Sequence, residues 1–394
     1  EPMPPRRLFG EDEKEAAVRL FDEAIRTGGV FGYNGPEEEA FEGEFADALG
    51  GGFADGVNSG TSAVFTALGA LQLPGGSEVV VPPITDPGGA MPVVVLNCVP
   101  VFADCDPRSY NIGAEQIEAV LTERTRAIIV AHIAGEPADM GPIMELARGR
   151  GLPVIEDCAQ AHGARYDGRP VGTFGELSAF STMSGKHMAT AAQGGVVFTR
   201  DEELHWRQKR FADRGKPFNL PDAGSNVVPG LNLNLNELAA AVGRVQLRKL
   251  PEIVRGRRAV GEGVKAGVAD LEAVSVGWHP PQAECSYWFL RMTLEPDHLT
   301  VGKDEFAAAL AAEGIPVNPS YRHIQAESNW VRTRRSGWCP WLFGEIEPDP
   351  PPMPNAVAVC ERAFNIGVHE GYGEQEIREI VAALRKVEAA YRKK

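Results

Sequence analysis

The strongest constraint on this chain is a series of short apolar runs, each closed by turn residues and separated by helical stretches. Val79-Val80-Val81 stops at Pro82-Pro83, Val99 to Phe102 ends near Asp104, and Ala127 to Ala131 follows Thr125-Arg126. Val154-Ile155 runs into Glu156-Asp157, and Leu177 to Ser181 and Val196 to Thr199 close the series. Ala114 to Leu121 and Ile143 to Arg150 lie between them and read as helices, as does Ala63 to Leu71 before them. Strand, helix and strand at this spacing predict βαβ units, hence an α/β fold with a mostly parallel central sheet and helices on both faces. Two helices precede the series. Glu11 to Thr27 puts Val18, Phe21 and Ile25 on one face and stops at Gly28-Gly29, and Glu37 to Leu49 spaces Phe41 and Phe45 four apart.

After about residue 250 the pattern changes. Glu252 to Val268 is rich in Arg and Gly and reads as a long surface helix, Tyr287 to Leu294 as a strand, and Lys303 to Ala312 as a helix ending at Gly314. Pro348 to Pro354 is too proline-dense for a helix or a central strand. Glu374 to Lys394 is an amphipathic helix with Ile377, Ile380, Val381, Leu384 and Val387 inward. The expected organisation is a large α/β domain over residues 1–250 and a smaller α+β domain over residues 251–394.

Composition narrows the partners. A chain of 394 residues can bury a sizeable core without disulfides or structural metal. Its cysteines, at 98, 105, 158, 285, 339 and 360, form no Cys-x-x-Cys pair and read as free thiols of a reducing compartment. A net charge of −15 argues against nucleic acid or an anionic membrane as the main partner. The most apolar stretch, Ala90 to Ala103, is broken by Pro92, Asn97 and Pro100 and falls short of the roughly 20 residues that span a bilayer. Glu1 to Arg7 has no apolar segment behind it, so no signal peptide is expected and a cytoplasmic location is.

Open parallel sheets bind ligands at the carboxyl ends of their strands. A dinucleotide fingerprint fails, because Gly50-Gly51-Gly52 leads to Asp55 at the sixth position. No phosphate loop is present, and the eight histidines lack metal-ligand spacing, so no metal site is expected. Three other constellations stand out. Asn58-Ser-Gly-Thr-Ser62 opens a helix and is either an ordinary N-cap or an anion site, since free N–H groups and the helix dipole both favour phosphate. Glu156 to Gly163 places Asp157 at a strand end, where it could cap, ligate a metal or pair with a positive ring nitrogen. Ser178 to Lys186, followed by Gln193-Gly194-Gly195, puts a lysine in a Ser- and Gly-rich turn, either solvated or desolvated as an amine nucleophile. Together they supply what a pyridoxal phosphate site needs: an anion cradle, an acid for the pyridine nitrogen and a lysine for the aldehyde.

With these motifs the sequence resembles the DegT/DnrJ/StrS group of pyridoxal phosphate enzymes, the sugar aminotransferases and their relatives of fold type I. The resemblance runs from Gly35 to Glu42 through Asn58 to Ala63, Val101 to Asp104, Gly135 to Met140, Glu156 to Gly163 and Gly172 to Ser181, and on to Gly230 to Asn232, Glu237 to Ala241 and Gln246-Leu247. It implies that Lys186 binds the cofactor covalently, Asp157 pairs with the pyridinium nitrogen and Gln160 approaches the ring hydroxyl. Gly60, Thr61 and Ser181 would hold the phosphate. Asn232 would reach the cofactor of a neighbouring subunit, since the family's sites lie at a homodimer interface. The implied activity is transamination from glutamate or glutamine to a keto sugar, a nucleotide-linked keto sugar or a cyclitol. The rivals are a sugar dehydratase or lyase on the same scaffold and a non-catalytic ligand sensor. Family members that remove hydroxyls typically carry histidine at the lysine position; here Lys186 is followed by His187.

Three departures bear on the chemistry. The family's usual ring-stacking aromatic is replaced by Asp86, after Pro82-Pro-Ile-Thr85. Gln193 stands for a glutamate and Asn234 for an arginine. A nucleotide-linked substrate would need positive residues gathered near the site against the global charge, with Lys186, Arg214 and Arg322 as the candidates; without such a patch an uncharged sugar or cyclitol is expected.

Overall fold

The computed structural model describes residues 3–332 and 352–393. Cys339 and the first part of the proline-rich segment, residues 348–351, lie outside these. The chain opens with helices α1 (Glu11–Thr27) and α2 (Pro36–Ala48). Then follow β1 (Phe53–Val57), α3 (Gly60–Ala70), β2 (Glu78–Val81), α4 (Met91–Val95), β3 (Val99–Phe102), α5 (Ala114–Glu118), β4 (Thr125–Ala131), α6 (Met140–Arg150) and β5 (Val154–Asp157). A short ribbon, β6 (Arg165–Tyr166) and β7 (Arg169–Pro170), precedes β8 (Leu177–Ser181), β9 (Gly195–Thr199), α7 (Glu202–Ala212) and the long α8 (Glu237–Gly267). The remainder is β10 (Val274–Val276), β11 (Ala283–Glu284), β12 (Leu290–Leu294), α9 (Lys303–Ala312), β13 (Val317–Asn318), α10 (Asn329–Arg332), α11 (Pro354–Arg362), β14 (Ala363–Ile366) and α12 (Glu374–Tyr391).

Seven strands form the central sheet in the order β1-β9-β8-β5-β4-β2-β3. All neighbours pair in parallel except β9, which runs antiparallel to both β8 and β1. The mostly parallel α/β sheet expected from the sequence is therefore present. Alternation along each strand divides its side chains between two faces. Val79, Val81, Ile129 and Ala131 pack with Ala63, Val64, Ala67 and Leu68 of α3, whereas Val80, Ile128 and Val130 pack with Met140, Ile143 and Met144 of α6. Phe180, Val196 and Phe198 meet Phe41 and Phe45 of α2 and Ala239 and Ala240 of α8. Helices on both faces are what make the strands apolar throughout, because neither face meets water.

A second core gathers residues from Val260 to Val387, over the four-stranded antiparallel sheet β10-β12-β14-β13. Ile380, Leu384 and Val387 of α12 are buried in it, and Ile377 and Val381 pack at its margin. Two expectations change in detail. β12 begins at Leu290, because Tyr287 adopts a left-handed backbone with φ 47°. The helix read as starting at Glu252 is the second half of α8, which passes through Pro251 without ending. On α1 the face of Val18, Phe21 and Ile25 is 47, 50 and 78% exposed, so it is not part of this chain's own core.

Candidate functional site

The carboxyl ends of β5 and β8, the amino end of α3 and the turn after β2 converge on one cavity of about 250 Å³. Among the residues singled out above, Gly60, Thr61, Asp86, Asp157, Ser181, Lys186 and Gln193 line it. At the mouth of α3, Ser59 caps the helix by accepting the Ser62 N–H at 3.0 Å. Its first turn otherwise presents N–H groups that no helical carbonyl can use, the geometry of an anion site. Gly60 makes the approach possible: a Cβ there would lie 2.6 Å from Ser181 Cβ, closer than side chains pack.

Asp157 ends β5 with its side chain buried, accepting the Ala159 N–H at 3.0 Å. Burial pushes its carboxyl above the ordinary value, and the Ala159 bond and the Lys186 charge pull the other way. The preceding Glu156 points away from the cavity and fixes the strand end. Its carboxylate accepts N–H groups of Gly172, Phe174 and Gly175 at 2.6–2.8 Å and meets His132 Nε2 at 3.1 Å. His132 Nδ1 accepts the Ala138 N–H, so the proton sits on Nε2, and within the His132–Glu156–Cys158 cluster both His132 and Glu156 are already engaged in hydrogen bonds.

Lys186 lies in the β8–β9 connection, anchored by its N–H to Met183 O at 2.9 Å. The side chain is buried, with Nζ 3.9 Å from the centre of the Trp288 ring. Burial pushes its pKa down to about 8, opposed by the charges of Asp157 and Asp86. Trp288 does not line the cavity and joins the site through this contact with Lys186. It is set in place by its N–H to Ala134 O at 2.8 Å and by Nε1 to Gly185 O at 2.8 Å. No local pattern marks it, since Ala134, Gly185 and Lys186 lie more than 100 residues away in the chain.

Gln160 and Asn232 do not line the cavity. Gln160 is buried beside it, with Oε1 accepting the Ala134 N–H and Nε2 donating to Tyr321 Oη, both at 2.9 Å. Asn232 is exposed and accepts from Asn234 Nδ2 at 2.7 Å. His187 turns away into the interior, where Nε2 meets Ser286 O at 3.0 Å and burial keeps the ring well below its ordinary pKa, hence neutral. Arg214 pairs with Asp213 at 2.8 Å and Arg322 with Glu327 at 2.7 Å, and neither lines the cavity. The basic patch considered from sequence is not assembled from these residues.

An anion cradle that only glycine allows, a buried acid and a buried amine of lowered pKa fit pyridoxal phosphate, and with the sheet order they place the chain among pyridoxal phosphate-dependent enzymes of the α/β type. Comparison with known proteins gives the family. The chain belongs to the DegT/DnrJ/EryC1/StrS aminotransferase family, which matches residues 11–385, and it is a pyridoxal phosphate-dependent aminotransferase. It is 37% identical over 283 residues to the UDP-N-acetyl-3-dehydro-alpha-D-glucosamine 3-aminotransferase of Acidithiobacillus ferrooxidans, covering 71% of this chain and 73% of that protein. It is 32% identical over 368 residues to the L-glutamine:2-deoxy-scyllo-inosose aminotransferase of Streptomyces fradiae, covering 89 and 85%. The crystal structure of an aminotransferase from Psychrobacter cryohalolentis superposes with a TM-score of 0.87 at 31% identity, covering 99% of both chains.

Proposed function

We propose that this enzyme moves an amino group from glutamate or glutamine to the keto group of a polyhydroxylated acceptor: a keto sugar, a nucleotide-linked keto sugar or a cyclitol. The observation that carries the reading is Lys186, a buried amine with a pKa of about 8 in the same cavity as Asp157 and the Gly60–Ser181 cradle. The relatives named above, one acting on a UDP-linked dehydro-sugar and one on an inosose, support the acceptor class. The amino end of α3, with Gly60, Thr61 and Ser181, binds the phosphate. Asp157 holds a proton on the ring nitrogen. Gln160, held by Ala134 and Tyr321 beside the cavity, would be the residue nearest in role to the ring hydroxyl. Bound pyridoxal phosphate supplies an electron sink. The Lys186 amine takes a proton from the donor α-carbon and returns one at the former keto carbon, work suited to a pKa near the operating pH.

Asn232 serves the cofactor of a second copy in a homodimer. Its exposure outside this chain's own cavity and the uncovered apolar face of α1 support that arrangement. We divide the chain near residue 250 into a cofactor domain and a smaller α+β domain, supported by the separate core over Val260 to Val387. The five described cysteines are buried free thiols, which supports a reducing, cytoplasmic setting. Among the described residues no helix is long and apolar enough to cross a membrane.

The test is spectroscopic. The visible absorbance of the loaded enzyme disappears with glutamate or glutamine and returns with a keto sugar or keto cyclitol, which mass spectrometry identifies as its amino product. A Lys186→Ala variant that keeps the covalent-cofactor absorbance would refute the assignment. The elimination reading predicts a deoxy product instead; against it, Lys186 faces the cavity and His187 does not.

A further inference from the structure

Around Lys186, three successive carbonyls are taken by side chains from distant parts of the chain. Gly185 O accepts Trp288 Nε1 at 2.8 Å, Lys186 O accepts Arg6 Nη1 at 2.6 Å and His187 O accepts Arg6 Nη2 at 2.8 Å. Arg6 belongs to the arm that precedes α1, and its fork straddles two adjacent peptide groups. Its third contact is Nε to Glu370 Oε1 at 2.8 Å. The other oxygen of Glu370 accepts Arg257 Nε from α8 at 3.0 Å. Arg257 Nη1 in turn donates to the carbonyls of Tyr287, Trp288 and Val368 at 3.1, 3.0 and 2.9 Å. One carboxylate thus joins the amino-terminal arm, the long helix and the segment that carries Trp288.

The bridge is ionic. Burial alone would raise the Glu370 carboxyl, but the Arg257 and Arg6 guanidiniums outweigh it and hold it below its ordinary value. Charge-assisted bonds of this kind are about twice as strong as neutral ones, and a planar fork fixes orientation as well as distance. A lysine that moves a proton needs its backbone held while its side chain swings, and a misplacement of about 1 Å can cost about 100-fold in rate.

We propose that Arg6, braced by Glu370 and Arg257, is a positioning residue for Lys186, so that the amino-terminal arm is part of the active-site architecture and not only a strap on the fold. The proposal rests on the reading of Lys186 as the cofactor-bearing residue, and Lys186→Ala tests that separately through the absorbance of the loaded enzyme.

The experiment compares Arg6→Ala, Arg6→Lys and Glu370→Gln. Measured are kcat and KM for the donor half-reaction, the rate at which cofactor-free enzyme captures pyridoxal phosphate, and thermal unfolding. Arg6→Ala should lower kcat and the capture rate about 10- to 100-fold, with KM changed by less than about threefold. Arg6→Lys keeps one donor and should recover part of both rates, and Glu370→Gln should fall between the two. Arg6→Ala with wild-type kcat and capture rate, whatever its thermal stability, overturns the proposal, as does a loss confined to KM. Should Arg6→Ala fail to fold, Arg6→Lys decides alone. A fall of about threefold or more in both rates supports the role, and wild-type rates overturn it.

Discussion

In the cofactor-free enzyme Lys186 should be a liability to stability, of a size that its burial fixes. Its pKa falls from 10.5 to about 8 because desolvation of the ammonium outweighs the attraction of Asp157 and Asp86. At about 1.4 kcal/mol per unit, that displacement corresponds to roughly 3 kcal/mol. The sign follows from proton counts. Between about pH 8 and 10.5 the unfolded chain holds the proton and the folded chain does not, so stability rises with pH through that window. Below about pH 8 both forms are protonated and the whole cost is present. Methionine has similar length, carries no charge and packs well against an aromatic ring such as Trp288. Lys186→Met should therefore unfold at higher urea than the wild type at pH 7, by up to about 3 kcal/mol, with the gain shrinking towards zero near pH 10.5. Urea titrations of both cofactor-free proteins, followed by circular dichroism at pH 7, 9 and 10.5, give that difference, and titrations of groups that Lys186 does not influence cancel in it. A variant less stable than wild type at pH 7, or a gain independent of pH, would refute the reasoning.

Two further substitutions test the cradle and the frame around it. Gly60→Ala would push a methyl against Ser181 Cβ, 2.6 Å away, and should weaken pyridoxal phosphate binding about tenfold or more by moving the first turn of α3 off the phosphate. Fluorescence titration measures the affinity, and an unchanged value would remove Gly60 from the cradle. Arg291, wholly buried on β12, pairs with Glu136 at 2.7 Å and also donates to Trp278 O. Arg291→Met should cost about 3–5 kcal/mol in urea unfolding, because Glu136 is left buried without its counterion. A loss under about 1 kcal/mol would show that the site relaxes to solvate the carboxylate.

The parallel strands were legible because burial on both faces makes each a continuous apolar run, as at Val79 to Val81. β1 was not, because Phe53-Ala-Asp-Gly-Val57 carries Asp55, which is buried against Lys209 of α7 at 3.4 Å. A local pattern cannot announce that partner. The same difference separates the site residues. Gly60, Asp157, Ser181 and Lys186 each lie in or just beyond a recognisable strand or helix end, so position alone exposed them. Trp288, Tyr321 and Arg6 enter through contacts more than 100 residues apart in sequence. The composition change at residue 250 falls inside α8, because a second half with one buried and one exposed side looks unlike the almost wholly buried first half although one helix carries both. For α1, helical periodicity is the same whether a face packs inside the chain or stays exposed, so Val18, Phe21 and Ile25 declared a face without declaring its partner.

Asp86 is the departure with the most chemical content. An aromatic ring at that position would add desolvation near Lys186 and bring no charge, driving the amine lower. A carboxylate there acts with Asp157 against burial, so the lysine settles at about 8. An amine that must be neutral to accept a proton and charged to return it works best when its pKa lies close to the surrounding pH. The opposition of burial to two carboxylates achieves this, with Trp288 shielding one side of Nζ at 3.9 Å. On the proposed reading, Asp86 in place of a ring would trade contact area for electrostatic control of the Lys186 amine.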